Sequence, residues 1–124
     1  MANSPLENGR PPDAVEFGLN TYRDKRGRTV IVVRGELDAM TAARFGAEIG
    51  EVVRHGERDV LVDLRAVQFI DSTGMHVLLN AQRRLTRARR RLSILCEGSP
   101  VRRALELARL TETLGLEPAS DELP

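Results

Sequence analysis

Two spacings of apolar residues follow one another along the chain, one typical of strands and the other typical of helices. Residues 14–22 predict a first strand, with the apolar side chains of Val15, Phe17 and Leu19 on one face. Residues 29–33 and 59–64 are nearly continuous apolar runs, and such runs form strands that are buried on both faces. Residues 91–96 predict a further strand, and residues 113–118 predict a short strand at the edge of the sheet.

Helical spacing separates these strands. After the second strand, apolar residues recur three or four positions apart, at Ala42, Phe45, Ile49, Val52 and Val53. Gly56 supplies a stop signal for this helix. Residues 72–89 predict an amphipathic helix with arginines on its polar face. Ser99 is suited to cap a third helix, and Pro100 is suited to its first position.

The resulting order is strand, strand, helix, strand, helix, strand, helix. It predicts an α/β domain with a mixed, mostly parallel sheet of four to five strands and helices packed against it. A short turn joins the first two strands, so these are expected to pair antiparallel. The length of 124 residues fits one domain at 14–118, between a flexible lead at 1–13 and a loose tail at 119–124.

Composition narrows the classes of function. Aromatic residues make up 3% of the chain, so the core is expected to be aliphatic and stacking on nucleic-acid bases is not expected. The formal net charge of +1 gives no bias toward nucleic acid or membrane. No apolar run has the length of a membrane span, so we expect a cytoplasmic protein. The single cysteine, Cys96, ends an apolar run and is predicted to be a buried small side chain.

A polar tetrapeptide, Asp71-Ser72-Thr73-Gly74, separates two apolar segments at the junction of the third strand and the second helix. Asp71 or Ser72 is suited to cap this helix, and capping alone is a sufficient local explanation for either residue. The first turn of the helix then carries unsatisfied N–H groups and a partial positive charge. Gly74 is predicted to leave this turn bare, so that another surface can approach it closely.

Enzymatic interpretations of the tetrapeptide lack the residues they need. An aspartic protease requires Gly two residues after the Asp, where this chain has Thr73. A serine hydrolase requires Gly at the position of Ile70. His55 and His76 are the candidate bases for Ser72, and no orienting acid is identifiable. Neither metal-ligand spacing nor a phosphate-binding glycine pattern occurs, so we expect no cofactor, no metal and no enzymatic activity.

A hydroxyl at a helix N-terminus also suits a phosphoryl group. A phosphate on Ser72 would meet backbone N–H groups and the helix dipole, although it would lie beside the Asp71 carboxylate. It would add about −1.5 to −2 charges at pH 7, enough to reverse binding at a recognition surface. Glu36 and Asp38 follow the second strand as the tetrapeptide follows the third, so all are expected at the carboxyl edge of the sheet. A turn with a helix cap is the alternative explanation of Glu36 and Asp38.

Three segments together resemble a STAS domain, and they are most similar to the anti-sigma factor antagonists of bacteria. They are RGELDAMTAARF, DVLVDLRAVQFIDSTGMHVLLNAQRRL and LSILCEGSPVRRALELARLTETLGL, within residues 14–118. The resemblance implies a non-enzymatic regulator of sigma-factor-dependent transcription, of the kind found in stress responses and sporulation. The chain ends soon after these segments, so a final helix common in relatives is expected to be short or absent.

The resemblance also implies a cycle of partner switching. The unmodified protein binds an anti-sigma factor that is also a serine/threonine kinase, and this frees a sigma factor. The kinase phosphorylates the Ser after the Asp, which is Ser72 here, and the complex dissociates. A metal-dependent serine phosphatase then restores the unmodified protein. From helix geometry alone, the choice between Ser72 and Thr73 stays open.

Carried over to this sequence, the resemblance implies a rim of partner-binding residues around the acceptor. The predicted rim consists of Glu36, Asp38, Asp71, Thr73, Gly74, Met75 and His76. Either Met75 or His76 is predicted to face outward. Many relatives have glycine at the position of His76, which implies a different contact in this chain.

Six of the nine residues from Arg83 to Arg91 are arginine. One interpretation is a patch for nucleic acid, and another is a solvated helix end whose cations complement the dipole. Low net charge and scarce aromatics favour the helix end, so no direct contact with nucleic acid is expected. Docking to an acidic partner face is a third interpretation. We expect a monomer, because no apolar patch stands out on the predicted surface.

Two other functions compete with the partner switch. A STAS scaffold or transport-system subunit would act by protein assembly, without a phosphate switch and without a membrane segment in this chain. A small hydrolase would use Ser72 as its nucleophile. The intact acceptor serine favours the partner switch over both.

Overall fold

The computed structural model describes residues 16–118, so the predicted lead at 1–13 and tail at 119–124 lie outside the described residues. The elements in chain order are β1 (Gly18–Arg23), β2 (Thr29–Leu37), α1 (Ala42–His55), β3 (Val60–Ile70), α2 (Ser72–Arg87), β4 (Leu92–Leu95), α3 (Pro100–Leu107) and β5 (Gly115–Glu117). This order confirms the prediction. The first strand, predicted at residues 14–22, is observed at Gly18–Arg23, and residues 14 and 15 lie outside the described residues.

The strands form one mixed sheet in the order β1-β2-β3-β4-β5. β1 pairs antiparallel with β2, because the turn that joins them is short. The pairs β2–β3, β3–β4 and β4–β5 are parallel, and a helix connects the strands of each pair. The carboxyl ends of β2, β3 and β4 therefore meet at one edge of the sheet, here called the carboxyl edge.

The core is aliphatic and lies between one face of the sheet and the helices. Its fully buried side chains include Ile31, Val33, Phe45, Val62, Leu64, Leu78, Leu85, Ile94 and Leu105. Each large aliphatic side chain buried in this way contributes roughly 1.5–3 kcal/mol. Val30, Leu61 and Leu95 form a smaller cluster apart from the main core. Cys96 is buried as predicted, and burial raises the pKa of its thiol.

The residues at the start of α3 and at the end of α1 are of the types that the sequence analysis predicted for helix ends. The Ser99 hydroxyl accepts from the Val101 N–H at 3.1 Å and donates to the Val67 carbonyl at 2.7 Å, which ties α3 to β3. Pro100 occupies the first position of α3, and Gly56 ends α1, both as predicted. None of the helices within residues 16–118 is long and apolar enough to cross a membrane.

β3 is longer than the apolar pattern predicted, since it runs to Ile70 rather than ending at residue 64. Val67 and Ile70 point into the core, while Gln68 and Phe69 between them are exposed, so strict alternation is broken here. The pairing of β2 with β3 shifts register in the same region. Asp71 therefore follows the last residue of β3 directly, with no intervening loop.

A buried arginine fastens the turn between β1 and β2 to the last strand. The Arg28 guanidinium donates to Asp24 Oδ2 at 2.8 Å and to Glu117 Oε1 at 2.7 Å. Burial raises the pKa of Asp24, but hydrogen bonds and charge from Arg28 outweigh it and lower the pKa below its ordinary value. This ion-pair network holds the three-residue strand β5 in place.

Candidate functional site

The candidate site lies where β2 and β3 end side by side. Leu37 and Ile70 are paired in the sheet, so Asp38 and Asp71 follow them as neighbours. The Asp71 N–H donates to the Leu37 carbonyl at 3.0 Å, which joins the loop after β2 to the start of α2. The predicted meeting of Asp38 with the tetrapeptide at the carboxyl edge is confirmed.

Asp71 is the N-cap of α2. Its Oδ1 accepts from the Thr73 N–H at 2.9 Å, from the Gly74 N–H at 3.3 Å and from the Thr73 hydroxyl. The Thr73 hydroxyl contributes most to lowering the pKa of Asp71 below its ordinary value, and the N–H groups of Gly74, Thr73 and Ala39 add to this. The carboxylate therefore satisfies the helix N-terminus and also contacts the backbone of the loop after β2.

The two hydroxyls of the tetrapeptide have different surroundings. Both side chains are exposed. The Thr73 hydroxyl donates to Asp71 Oδ1, whereas within residues 16–118 the Ser72 hydroxyl has no hydrogen-bond partner. Ser72 therefore offers a solvent-facing oxygen that an incoming protein can reach without breaking a hydrogen bond.

Gly74 is buried and faces the protein's own core. A Cβ at this position would lie 2.9 Å from both Ile70 Cγ1 and Leu37 Cβ. The prediction that Gly74 leaves the first turn bare for another surface is therefore wrong, while its place in the partner-binding rim stays a prediction. Its missing side chain lets the first turn of α2 sit directly against the ends of β2 and β3.

The residues after Gly74 divide between core and solvent. Met75 is half-buried and packs against the core cluster, while His76 is exposed. The outward-facing residue of this pair is thus His76. Because α2 leads away from the sheet edge, His76 presents its ring one turn after Ser72 on the accessible surface of the helix.

Asp38 closes a turn rather than projecting freely. Its Oδ1 accepts from the Met40 N–H at 2.9 Å and from the Thr41 N–H at 3.1 Å. This geometry is the turn and helix start that the sequence offered as an alternative explanation of Asp38. Glu36 is half-buried and pairs in the sheet with Phe69.

Two apolar residues at this edge were missed by the sequence analysis. Met40, in the turn after β2, is 86% exposed, and Phe69, next to the end of β3, is 48% exposed. The exposure of these two residues was not predicted, because an apolar residue in a sequence is ordinarily assigned to the core. A usable signal for Met40 was its position directly after Asp38 and Ala39, where an Asp-led turn places side chains on the surface.

The arrangement does not assemble the parts of a hydrolase around Ser72. His55 lies at the far end of α1 from the carboxyl edge and contacts Glu51 at 3.3 Å. His76 is exposed, and within residues 16–118 no acid bonds to it. Among the same residues, no cluster of three or more His, Cys, Asp or Glu side chains could hold a metal ion.

The arginine run from Arg83 to Arg91 lies at the end of the molecule opposite the carboxyl edge. Arg90 donates to the carbonyls of Arg58 and Val53, both at 2.8 Å, so it fastens the end of α1 to the start of β4. Arg84 and Arg87 lie in the last turn of α2, where cations complement the helix dipole. This geometry fits the solvated helix end that the sequence favoured.

Comparisons with known proteins agree with this architecture. The family described as "Mlab, STAS domain" matches residues 20–118. The anti-sigma-F factor antagonist RsfB of Mycobacterium tuberculosis is 31% identical over 105 residues, which cover 85% of this chain and 83% of RsfB.

Solved structures are similar over the same region. The crystal structure of an anti-sigma factor antagonist from Mycobacterium paratuberculosis gives a TM-score of 0.74 at 29% identity, covering 86% of this chain and 89% of that one. An anti-sigma-factor antagonist (STAS) domain protein from Planctomyces limnophilus gives a TM-score of 0.71 at 15% identity, covering 84% and 92%, and this likeness supports the fold alone.

Proposed function

Because the chain belongs to the STAS domain family of anti-sigma factor antagonists, we propose that its unmodified form binds an anti-sigma factor that is also a serine kinase. Binding then releases a sigma factor for transcription. Phosphorylation of Ser72 ends the binding, and a serine phosphatase restores it. The protein acts as a cytoplasmic monomer and supplies no catalytic group of its own.

The free hydroxyl of Ser72 is the observation that carries this proposal. It is exposed at the first residue of α2, and it has no hydrogen-bond partner within residues 16–118. The neighbouring Thr73 hydroxyl donates a hydrogen bond to the Asp71 carboxylate. Thr73 could enter a kinase active site only if this charge-assisted hydrogen bond were broken. Local geometry thus supports Ser72 over Thr73 as the acceptor.

The capping geometry also explains why a phosphate acts as an off switch. Asp71 already accepts hydrogen bonds from the N–H groups of Thr73 and Gly74, so a phosphate on Ser72 would not find these two groups free, contrary to what the sequence had suggested. Its added charge of about −1.5 to −2 lies next to an ionised carboxylate instead. A partner surface that fits the neutral hydroxyl then faces both repulsion and the cost of desolvating the phosphate.

The proposed recognition surface comprises the exposed and half-exposed residues around the acceptor. They are Glu36, Asp38, Asp71, Thr73, Met75 and His76. Within residues 16–118, the three acids of this set have no salt-bridge partner, so their charge is available to a basic partner surface. Such complementarity guides association and excludes wrong partners.

Site mapping by mass spectrometry tests the acceptor. The protein is incubated with ATP and the anti-sigma factor kinase of the same organism, and the modified residue is located in the peptide that contains α2. We expect one phosphoryl group on Ser72, none on Ser72→Ala, and normal modification of the matched variant Thr73→Val. Phosphate on Thr73, or no phosphate on the wild type, contradicts the proposal. Stable binding of the kinase without phosphate transfer would favour the scaffold or transport-subunit alternative.

A further inference from the structure

The turn between β2 and α1 holds a large apolar side chain away from the protein. Met40 is 86% exposed, more than the other exposed large apolar residues among 16–118, which are Leu107 at 69% and Phe69 at 48%. A Met side chain this exposed contributes little to the stability of the fold, and Met is enriched in protein interfaces.

Hydrogen bonds on both sides fix the position of Met40. The Asp38 carboxylate binds the N–H groups of Met40 and Thr41, and the Asp38 carbonyl accepts from the Ala42 N–H at 2.8 Å. Thr41 is buried, and its hydroxyl donates to the Glu36 carbonyl at 2.6 Å. Because Asp38 and Thr41 hold the backbone of the turn on either side, the Met40 side chain leaves the protein from a fixed backbone position, and binding does not have to order the turn.

The same turn is joined to the phosphoacceptor helix. Asp71 donates its N–H to Leu37, and its carboxylate interacts with the Ala39 N–H as well as with the first turn of α2. Met40 and Ser72 therefore stand on one rigid edge. We therefore expect a protein that covers Ser72 to contact the turn that carries Met40.

We propose that Met40 is an apolar anchor that inserts into a pocket on the anti-sigma factor, and that Asp38 is a positioning residue that aims it. The inference rests on the proposed function and adds to it the chemistry of the partner: an apolar pocket with basic side chains at its margin. The margin is inferred from Glu36 and Asp71, which have no salt-bridge partner within residues 16–118. The inference also changes the role of Asp38 from a direct contact to the support of its neighbour.

Calorimetric titration of the purified anti-sigma factor kinase with Met40→Ala tests the anchor. We expect an affinity about tenfold or more below that of the wild type, as for a central apolar contact of an interface. Leu107→Ala is the matched control, because it removes a similar exposed side chain at the end of α3 far from the carboxyl edge, and it should bind like the wild type. Equal affinity of Met40→Ala and the wild type overturns the anchor.

A pair of substitutions at Asp38 separates positioning from direct contact. Asp38→Asn keeps an oxygen that can accept the Met40 and Thr41 N–H groups but loses the charge, whereas Asp38→Ala loses both. We expect Asp38→Asn to retain most of the affinity for the kinase and Asp38→Ala to lose most of it. The double variant Asp38→Ala/Met40→Ala should bind no more weakly than the weaker of the two single variants. If Asn is as weak as Ala, the carboxylate touches the partner directly and the positioning role is wrong.

The titrations also distinguish the anchor from the function on which it rests. If the wild type binds the kinase and Met40→Ala binds equally well, the anchor fails and the partner switch stands. If the wild type does not bind, both fail together. The unfolding transition of Met40→Ala should match that of the wild type, since the side chain is exposed, so a lost affinity reports on binding and not on folding.

Discussion

Two adjacent hydroxyls, on Ser72 and Thr73, differ in availability because one carboxylate lies beside them. Asp71 accepts the Thr73 hydroxyl and leaves the Ser72 hydroxyl in solvent. The residue types alone predicted that Asp71 or Ser72 would cap the helix, and Asp71 is the cap. They could not predict which hydroxyl is free, because that depends on the rotamer and the hydrogen bond adopted after the helix forms.

Removal of the cap should weaken the start of α2. Asp71→Ala leaves the N–H groups of Thr73 and Gly74 without a side-chain acceptor, and we expect a loss of about 1 kcal/mol in the free energy of unfolding. Asp71→Asn should lose less, since Asn is also a good cap. Urea unfolding monitored by circular dichroism measures both changes, and an equal loss in the two variants would contradict a capping role.

A substitution at Gly74 tests whether the first turn of α2 packs closely against the ends of β2 and β3. In Gly74→Ala the new Cβ lies 2.9 Å from Ile70 Cγ1 and Leu37 Cβ, so the helix must shift, and we expect a destabilisation of about 1–3 kcal/mol. Gly46→Ala in α1 is the matched control, because its nearest neighbour would be Val77 Cγ2 at 3.8 Å. That variant should be neutral or more stable, because Ala has the higher helix propensity. Thermal unfolding of both variants measures these changes in stability. Equal stability of Gly74→Ala and the wild type would contradict the close packing of α2 against the strands.

The secondary-structure elements were predictable where their apolar pattern was regular. α1 and α2 keep helical spacing, and α3 has its Ser-Pro start, so all three appear where expected. The second half of β3 was not predicted, because Arg65, Gln68 and Phe69 break the alternation while Val67 and Ile70 still reach the core. Pairing with β2, a contact between segments distant in sequence, maintains the strand there.

The smallest element, β5, should depend on the ion pairs of Arg28. Arg28→Met removes the cation that pairs with Asp24 and leaves Glu117 only its longer ion pair with Arg26 at 3.9 Å, and we expect a loss of about 2–3 kcal/mol at neutral pH. The pKa of Asp24 is lower in the folded protein than in the unfolded chain, so its contribution is present above the ordinary Asp pKa and disappears as pH falls through the folded value.

The difference in stability between the wild type and Arg28→Met should therefore be largest near neutral pH and should shrink in acid. Unfolding free energies measured across the pH range test this, with Arg54→Met as a control, since Arg54 forms an exposed ion pair with Glu51 that should contribute little. A difference that grows as pH falls would show that Asp24 is not stabilised as an anion.

On the scale of the whole molecule, the two ends of the sheet carry different charge. The carboxyl edge has the three acids of the proposed recognition surface, which form no salt bridge within residues 16–118, and the opposite end has the arginine run. The strand and helix order places these ends apart, and the order was readable from the sequence. The outward projection of Met40 was not, because it depends on the hydrogen bonds of one turn.

We propose the carboxyl edge as the place where one covalent change alters association. At this edge, hydrogen bonds join Asp71 to the end of β2 and to the first turn of α2, and Asp38 holds the turn that carries Met40. A doubly charged group at Ser72 thus lies within the surface that a partner must cover. The account therefore predicts that the charge at this one position controls binding while the fold stays intact.

The affinity of the anti-sigma factor kinase for Ser72→Ala and Ser72→Asp tests this claim most directly. Both substitutions change an exposed side chain, so both proteins should unfold like the wild type. In calorimetric titrations, Ser72→Ala should bind like the unmodified wild type, and Ser72→Asp should bind at least about tenfold more weakly. Equal affinity of the two variants for the kinase would contradict a switch at Ser72.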